Sequence, residues 1–213
     1  MIQKVKGKKY LINGGLGMIG STIATILVEA GAEVTIVDAM IKPFGANLFN
    51  IEKIKDQVKT RTFDIKSIKD MKREIENKDV IFNLAGQIAH NDSIINPLYD
   101  AKLNYLYQLN VMECIRQVNP NAKVIFSGSR LQFGKIKNIP VDESHPSHPE
   151  TPYALHKQTT ENMYQFYNRQ YDIDTVVFRI ANPYGPRGQI KHSKYTIVNF
   201  FIRQALELSL IHI

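Results

Sequence analysis

One cysteine in 213 residues, Cys114, excludes an internal disulfide and fits a reducing compartment such as the cytoplasm. Its apolar helical surroundings make it a core residue rather than a nucleophile. No apolar run approaches the roughly 20 residues that a membrane helix needs. No signal-peptide pattern opens the chain. Internal repeats and low-complexity linkers are missing as well, so one domain or a little more is expected. His145 and His148 lie three apart in a proline-rich loop, but no carboxylate or cysteine completes a ligand set, so both are expected to be solvated loop residues and no metal is expected.

Hydrophobic content of 44% and charged content of 22% place the chain among ordinary globular proteins. Its net charge of +7 comes from scattered lysines, clustered only at Lys4, Lys6, Lys8 and Lys9 beside the first strand. A solvated edge is the simpler reading; mild attraction to anionic substrates is the functional one. Neither nucleic acid nor a membrane is expected as a partner.

Short apolar runs alternate with helical spacing along the whole chain. Strands are expected at Tyr10–Asn13, Val34–Val37, Arg61–Phe63, Asp79–Leu84, Lys123–Phe126 and Thr175–Arg179. Helices are expected at about 21–30, 68–76, 98–118 and 153–171. Strands that read as continuous apolar runs between helices imply an α/β fold, a doubly wound parallel sheet covered on both faces. Pro140 to Pro152 is an ordered surface loop entering the last long helix, not a domain boundary.

Several candidate residues fall where such a sheet binds ligands, at the carboxyl ends of strands. Gly14-x-x-Gly17-x-x-Gly20 lies between the first strand and its helix, suiting a dinucleotide pyrophosphate, with a plain strand-to-helix turn as the alternative. Glycine lets the backbone approach phosphates, and the helix start through Met18 and Ile19 offers free N–H donors. Asp38 ends the second strand, where a carboxylate accepts from ribose hydroxyls and repels a 2′-phosphate. That favours NAD over NADP; a strand-end turn residue is the alternative. Asp64 with Ile65 follows the third strand, either to meet the adenine amino group or, for Asp64, to cap the next helix. Leu84-Ala85-Gly86 would let the backbone pass close to the cofactor.

Tyr153 and Lys157 sit one turn apart on the last long helix and share a face. With ten tyrosines, about one Tyr-x-x-x-Lys is expected by chance, so the pair needs company. Ser129, at the end of the fifth strand, supplies it. A phenol with a pKa of about 10 is a poor base at neutral pH, and a neighbouring ammonium is expected to lower it. His156, between the two, is expected to face elsewhere as packing or surface.

Together these residues make the chain resemble the extended short-chain dehydrogenase/reductase family, more narrowly its NAD-dependent sugar-nucleotide epimerases and dehydratases. Asn83-Leu84-Ala85-Gly86, Pro140-Val141-Asp142-Glu143 and Arg179-Ile180-Ala181-Asn182-Pro183-Tyr184-Gly185-Pro186 add to the likeness. The resemblance implies a Rossmann domain over 1–180, with 181–207 opening a small substrate lobe that is otherwise missing. It implies that Tyr153 is the base, Lys157 its activator and ribose ligand, and Ser129 the hydroxyl on the reacting sugar oxygen. Asn104 would lie near the cofactor and Asn182 would contact a nucleotide-sugar substrate. A homodimer through helices 98–118 and 153–171 is implied too. The chain departs from the family in having Tyr107 and Gln108 where glycine and threonine are usual, and Phe133 before Gly134 in place of tyrosine.

Family dehydratases place an acid pair directly after the hydroxyl residue. Here Arg130-Leu131-Gln132 comes after Ser129, so inversion at C4 through a transient 4-keto sugar is expected instead. Arg130 would touch a substrate carboxylate or phosphate, or else serve as a surface or helix-capping residue. Decarboxylation or 4,6-dehydration, and a non-catalytic NAD-binding module, are the other readings. Leu208-Ser209-Leu210-Ile211-His212-Ile213 is what CTGTCTCTTATACACATC encodes, the end of a common transposase-type sequencing adapter. Residues 208–213 are therefore expected to be a non-native tail on a truncated chain that turns over poorly.

Overall fold

The computed structural model describes residues 4–207 other than Pro43, His192 and Tyr195. Its strands are β1 (Lys9–Asn13), β2 (Glu33–Asp38), β3 (Val58–Thr62), β4 (Val80–Asn83), β5 (Lys123–Ser129) and β6 (Thr175–Ile180). All pair in parallel, in the order β3-β2-β1-β4-β5-β6. The order reverses between β1 and β4, which opens a crevice at the carboxyl ends of those strands. The helices are α1 (Met18–Glu29), α2 (Ile68–Ile75), α3 (His90–Ile95), α4 (Pro97–Ala101), α5 (Tyr107–Val118), α6 (Pro152–Tyr171) and α7 (Ile197–Leu206).

Period-two alternation along β1 divides the core. Leu11 joins Met71, Val111, Met112 and Tyr164 on the α2, α5 and α6 side. Tyr10 and Ile12 join Ala24, Leu27 and Ile54 on the α1 side. Cys114 lies fully buried in the first of these clusters, and burial pushes its thiol up. Farther along the sheet, a groove of about 1160 Å³ is lined by Phe82, Ile125, Val177 and Phe178. Phe178, on the edge strand, is half-exposed.

Four expectations shift. The helix expected over 98–118 is interrupted by a π-helical turn at Lys102–Leu106, between α4 and α5. α1 starts at Met18, not Ser21, because Gly17 serves as its N-cap and Gly20 packs within the first turn. β3 sits three residues earlier than Arg61–Phe63, following a 3-10 helix at Leu48–Gln57 that periodicity did not mark. β3 is a half-exposed edge strand, so it carries little apolar signal. His145 is buried, not solvated: its Nε2 accepts from the Lys137 amide at 3.0 Å and its Nδ1 donates to the Pro146 carbonyl at 2.9 Å.

Lys4, Lys6, Lys8 and Lys9 are exposed. Among the described residues no helix is long and apolar enough to cross a membrane, and no group of three or more His, Cys, Asp or Glu is placed to hold a metal. The expected tail at 208–213 lies outside the described residues.

Candidate active site

The crevice begins as backbone. Gly14 has φ +78°, and a Cβ there would stand 2.8 Å from the Ala85 nitrogen. Only glycine lets this turn press against the end of β4. A Cβ on Gly20 would collide with the Gly14 carbonyl, so the turn and the first turn of α1 are stacked in contact. The Met18, Ile19 and Gly20 amides are first-turn donors without helical acceptors, at the positive end of the helix dipole.

A cavity of about 140 Å³ opens beside this turn, lined by Gly14, Gly17, Asp38, Asp64, Ile65, Leu84, Ala85 and Gly86 among others. Asp38 holds its wall: Oδ2 accepts from the Leu16 amide at 3.0 Å and Oδ1 from the Met40 amide at 2.9 Å. Burial raises the Asp38 carboxyl pKa, and those two amides oppose the rise. The carboxylate orders the strand-end turn and also lines the cavity. Asp64 accepts from the Lys66 amide at 3.0 Å, while Ser67 is the N-cap of α2; the capping alternative for Asp64 falls. Ile19 lines the larger groove and not the cavity.

The chemical half is built from side chains. Ser129 closes β5 and caps a 3-10 helix, Arg130–Phe133; its Oγ accepts from the Leu131 amide at 3.2 Å and its amide donates to Gln132 Oε1 at 2.7 Å. The Ser129 hydroxyl stands near enough to the Tyr153 phenol to favour its ionised form. Thr151 caps α6 and Pro152 starts it, fixing Tyr153 in the first turn. Tyr153 and Lys157 are both buried. Lys157 Nζ donates to the Ser127 carbonyl at 2.9 Å.

Burial decides both ionisations. It pushes Tyr153 up to about 12, against the lowering influence of the Ser129 hydroxyl, and brings Lys157 down to about 8, against the charge of Asp100. This corrects the expectation that the lysine alone would depress the phenol. The ammonium is 5.9 Å from the ring centroid and is committed to a carbonyl, and desolvation outweighs it.

Asn104 lies buried in the π-helical turn, its Nδ2 donating to the Gln87 carbonyl at 3.1 Å and to Asp100 Oδ2 at 3.0 Å. Its Oδ1 has no partner and sits against Gly86, close to Lys157. Ser129, Tyr153, Lys157 and Asn104 therefore converge at one end of the crevice, with Gly86 joining them to the cavity. Asn182 does not converge: it is exposed, and its Oδ1 accepts from Arg130 Nε at 3.0 Å.

Three contributors escaped the sequence reading. Asp100 is buried and binds His156 Nδ1 through Oδ1 at 2.6 Å, so His156 is neither surface nor simple packing. Gln108 accepts from Asn83 at 2.6 Å and donates to the Ala85 and Leu103 carbonyls, tying the end of β4 to the π-helical turn. Tyr164 accepts from the same Asn83 amide at 2.7 Å. The spacing of Asp100 to Asn104, one helical turn, was a usable signal. Nothing local links Asp100 to His156.

Residues 10–211 match the NAD dependent epimerase/dehydratase family. The chain belongs to that family. It is 33% identical over 199 residues to a Methanocaldococcus jannaschii protein provisionally named UDP-glucose 4-epimerase, covering 92% of this chain and 63% of that one. The UDP-N-acetylglucosamine 4-epimerase of Methanobrevibacter ruminantium M1, solved with UDP-N-acetylmuramic acid, superimposes with TM-score 0.86 at 28% identity, over 95% of this chain and 64% of that one. The UDP-glucose 4-epimerase of Thermus thermophilus, solved with NAD, gives 0.83 at 26% identity, over 93% and 63%. The chain thus spans under two-thirds of the length of these relatives.

Proposed function

We propose that the protein is a nucleotide-sugar 4-epimerase that uses NAD, with Ser129, Tyr153 and Lys157 as its catalytic residues. The observation that carries this is the Ser129 hydroxyl set beside the buried Tyr153 phenol and the buried Lys157, next to Gly86 of the glycine-built cleft. NAD fits that cleft: Gly14 and Gly20 form a cradle that a Cβ would fill, the first-turn amides of α1 would receive its phosphates, and Asp38 would accept from a ribose hydroxyl. When bound, NAD supplies a hydride acceptor and a positively charged ring. In this reading Tyr153 takes the proton of the sugar C4 hydroxyl while Ser129 holds that oxygen. Lys157 and Asn104 hold the nicotinamide end, and Asn182 contacts the substrate once released from Arg130.

Inversion is favoured over dehydration by the residues immediately after Ser129. Gln132 is locked in the cap, and its Nε2 donates to Glu161 Oε2 at 2.6 Å. Glu161 is itself held by Arg179 at 2.7 and 3.0 Å. The three positions after the serine thus supply no carboxyl group to expel water. The test is to incubate the protein expressed from its whole reading frame with NAD and a panel of UDP-hexoses and UDP-hexuronates, scoring C4 inversion by proton NMR. Inversion lost in Tyr153→Phe with NAD binding retained supports the reading. A decarboxylated or dehydrated product replaces it with another family reaction. NAD binding without any turnover leaves a binding module.

We further propose residues 1–180 as the cofactor domain and 181–207 as the start of a substrate lobe. Within that segment Asn199 of α7 donates to the Gly185 carbonyl at 2.6 Å, and Arg187 ties it to α1 by donating to Thr22 and Thr25. A homodimer through 98–118 and 153–171 accords with exposed Leu98, Leu106, Leu155 and Phe166, although Met112, Met163 and Tyr167 are already buried within the chain. The single buried cysteine accords with a cytoplasmic setting.

A further inference from the structure

Lys157 poses a problem that its own contacts do not solve. It is 3% exposed, and its hydrogen bond goes to a neutral carbonyl. A buried ammonium without a counter-charge is costly enough that it tends to lose its proton. Asp100 is the buried carboxylate of this region, 1% exposed, and both of its oxygens are held. His156 Nδ1 meets Oδ1 at 2.6 Å, and Asn104 Nδ2 donates to Oδ2 at 3.0 Å. His156 directly precedes Lys157, and the other end of the Asn104 amide faces Gly86 together with Lys157 Nζ.

We propose that Asp100, clasped between His156 and Asn104, is the counter-charge of Lys157 and a positioning residue that keeps it protonated at the cofactor cleft. Among the described residues, Asp100 is the charge that acts on Lys157, and it acts on Tyr153 as well. It makes both groups hold their protons more tightly. The groups facing this cluster are Tyr153, His156 and Lys157 of α6, Asp100 of α4, Asn104 of the π-helical turn and Ser129 at the end of β5. His156 is 19% exposed, so the clasp reaches the edge of the protein.

The His156–Asp100 contact requires one proton between the two atoms. The proposal needs that proton on Nδ1, which leaves Asp100 negative and able to stabilise Lys157. A proton on Asp100 would remove the counter-charge.

The deciding experiment titrates Lys157 Nζ and the Tyr153 phenol by NMR in the protein expressed from its whole reading frame, without substrate, alongside Asp100→Asn. Both midpoints are expected to fall together in the variant, that of Lys157 by about one pH unit. A purely structural role would lower thermal stability and leave the two midpoints where they were, and that result overturns the proposal. Should Asp100→Asn fail to fold, the imidazole ¹⁵N signals of His156 in the unaltered protein decide. A protonated Nδ1 with protected exchange supports the counter-charge; an unprotonated Nδ1 sinks it. Neither readout involves turnover, so the inference can fail while the epimerase reading stands, and the reverse.

Discussion

The two ends of the crevice are made of different materials. Around β1 and β2 the cleft is backbone: glycines pressed on neighbouring strands, first-turn amides, and an Asp38 already held by two N–H groups. Around β4, β5 and α6 it is buried ionisable side chains, Tyr153 and Lys157 with Asp100 behind them. The first arrangement recognises shape and costs little to build. The second holds ionisable groups away from water, so their ionisation is set first by burial and then by partners such as Asp100. The backbone cradle and the buried ionisable groups thus lie largely on opposite sides of the strand-order reversal, with Gly86 between them.

The comparison can be broken by mutation, most severely on the chemical side. Arg179→Leu leaves Glu161 buried with Gln132 as its remaining close partner, and should cost about 4 kcal/mol in urea denaturation. Lys157→Met tests the sign of burial. With the folded lysine at about 8 and the unfolded one at its ordinary value of 10.5, the unfolded chain binds the extra proton between those values. Stability should therefore rise with pH across that window, by roughly 3 kcal/mol in all, and the rise should vanish in the variant. Tyr153 runs the other way: the folded state keeps the proton longer, so its share is lost between pH 10.0 and about 12.

On the backbone side the effects are smaller. Gly14→Ala combines positive φ with a 2.8 Å approach to Ala85, and should cost about 2 kcal/mol while weakening NAD binding in calorimetry. Least of all, Lys123→Ala removes an exposed 2.8 Å pair with Asp174 and should leave the denaturation midpoint unchanged. A large loss there would contradict the view that only buried charges are decisive.

The backbone half was the more legible. Gly14, Gly17, Asp38 and Leu84-Ala85-Gly86 declare themselves by position, since each follows a strand within a few residues. The chemical half was legible in its members, Ser129, Tyr153 and Lys157, but not in its electrostatics. The spacing from Tyr153 to Lys157 suggests an ammonium beside a phenol, and says nothing of the water excluded from both. Gln108 was noted as a departure from its family; only its three hydrogen bonds explain what it holds. The β3 edge strand and the 3-10 helix before it were misplaced or missed for want of apolar periodicity.

Alone, the order of residues determined the parallel sheet, its glycine turn and the helix face that carries the tyrosine and lysine, because periodicity and turn chemistry act over a few neighbours. Tertiary structure decided which groups are charged. Asp100 and His156 meet across 56 positions of chain, and Ser129 reaches Tyr153 only when β5 and α6 are packed. Desolvation and Coulomb forces depend on distance in space, and no spacing along the chain encodes that.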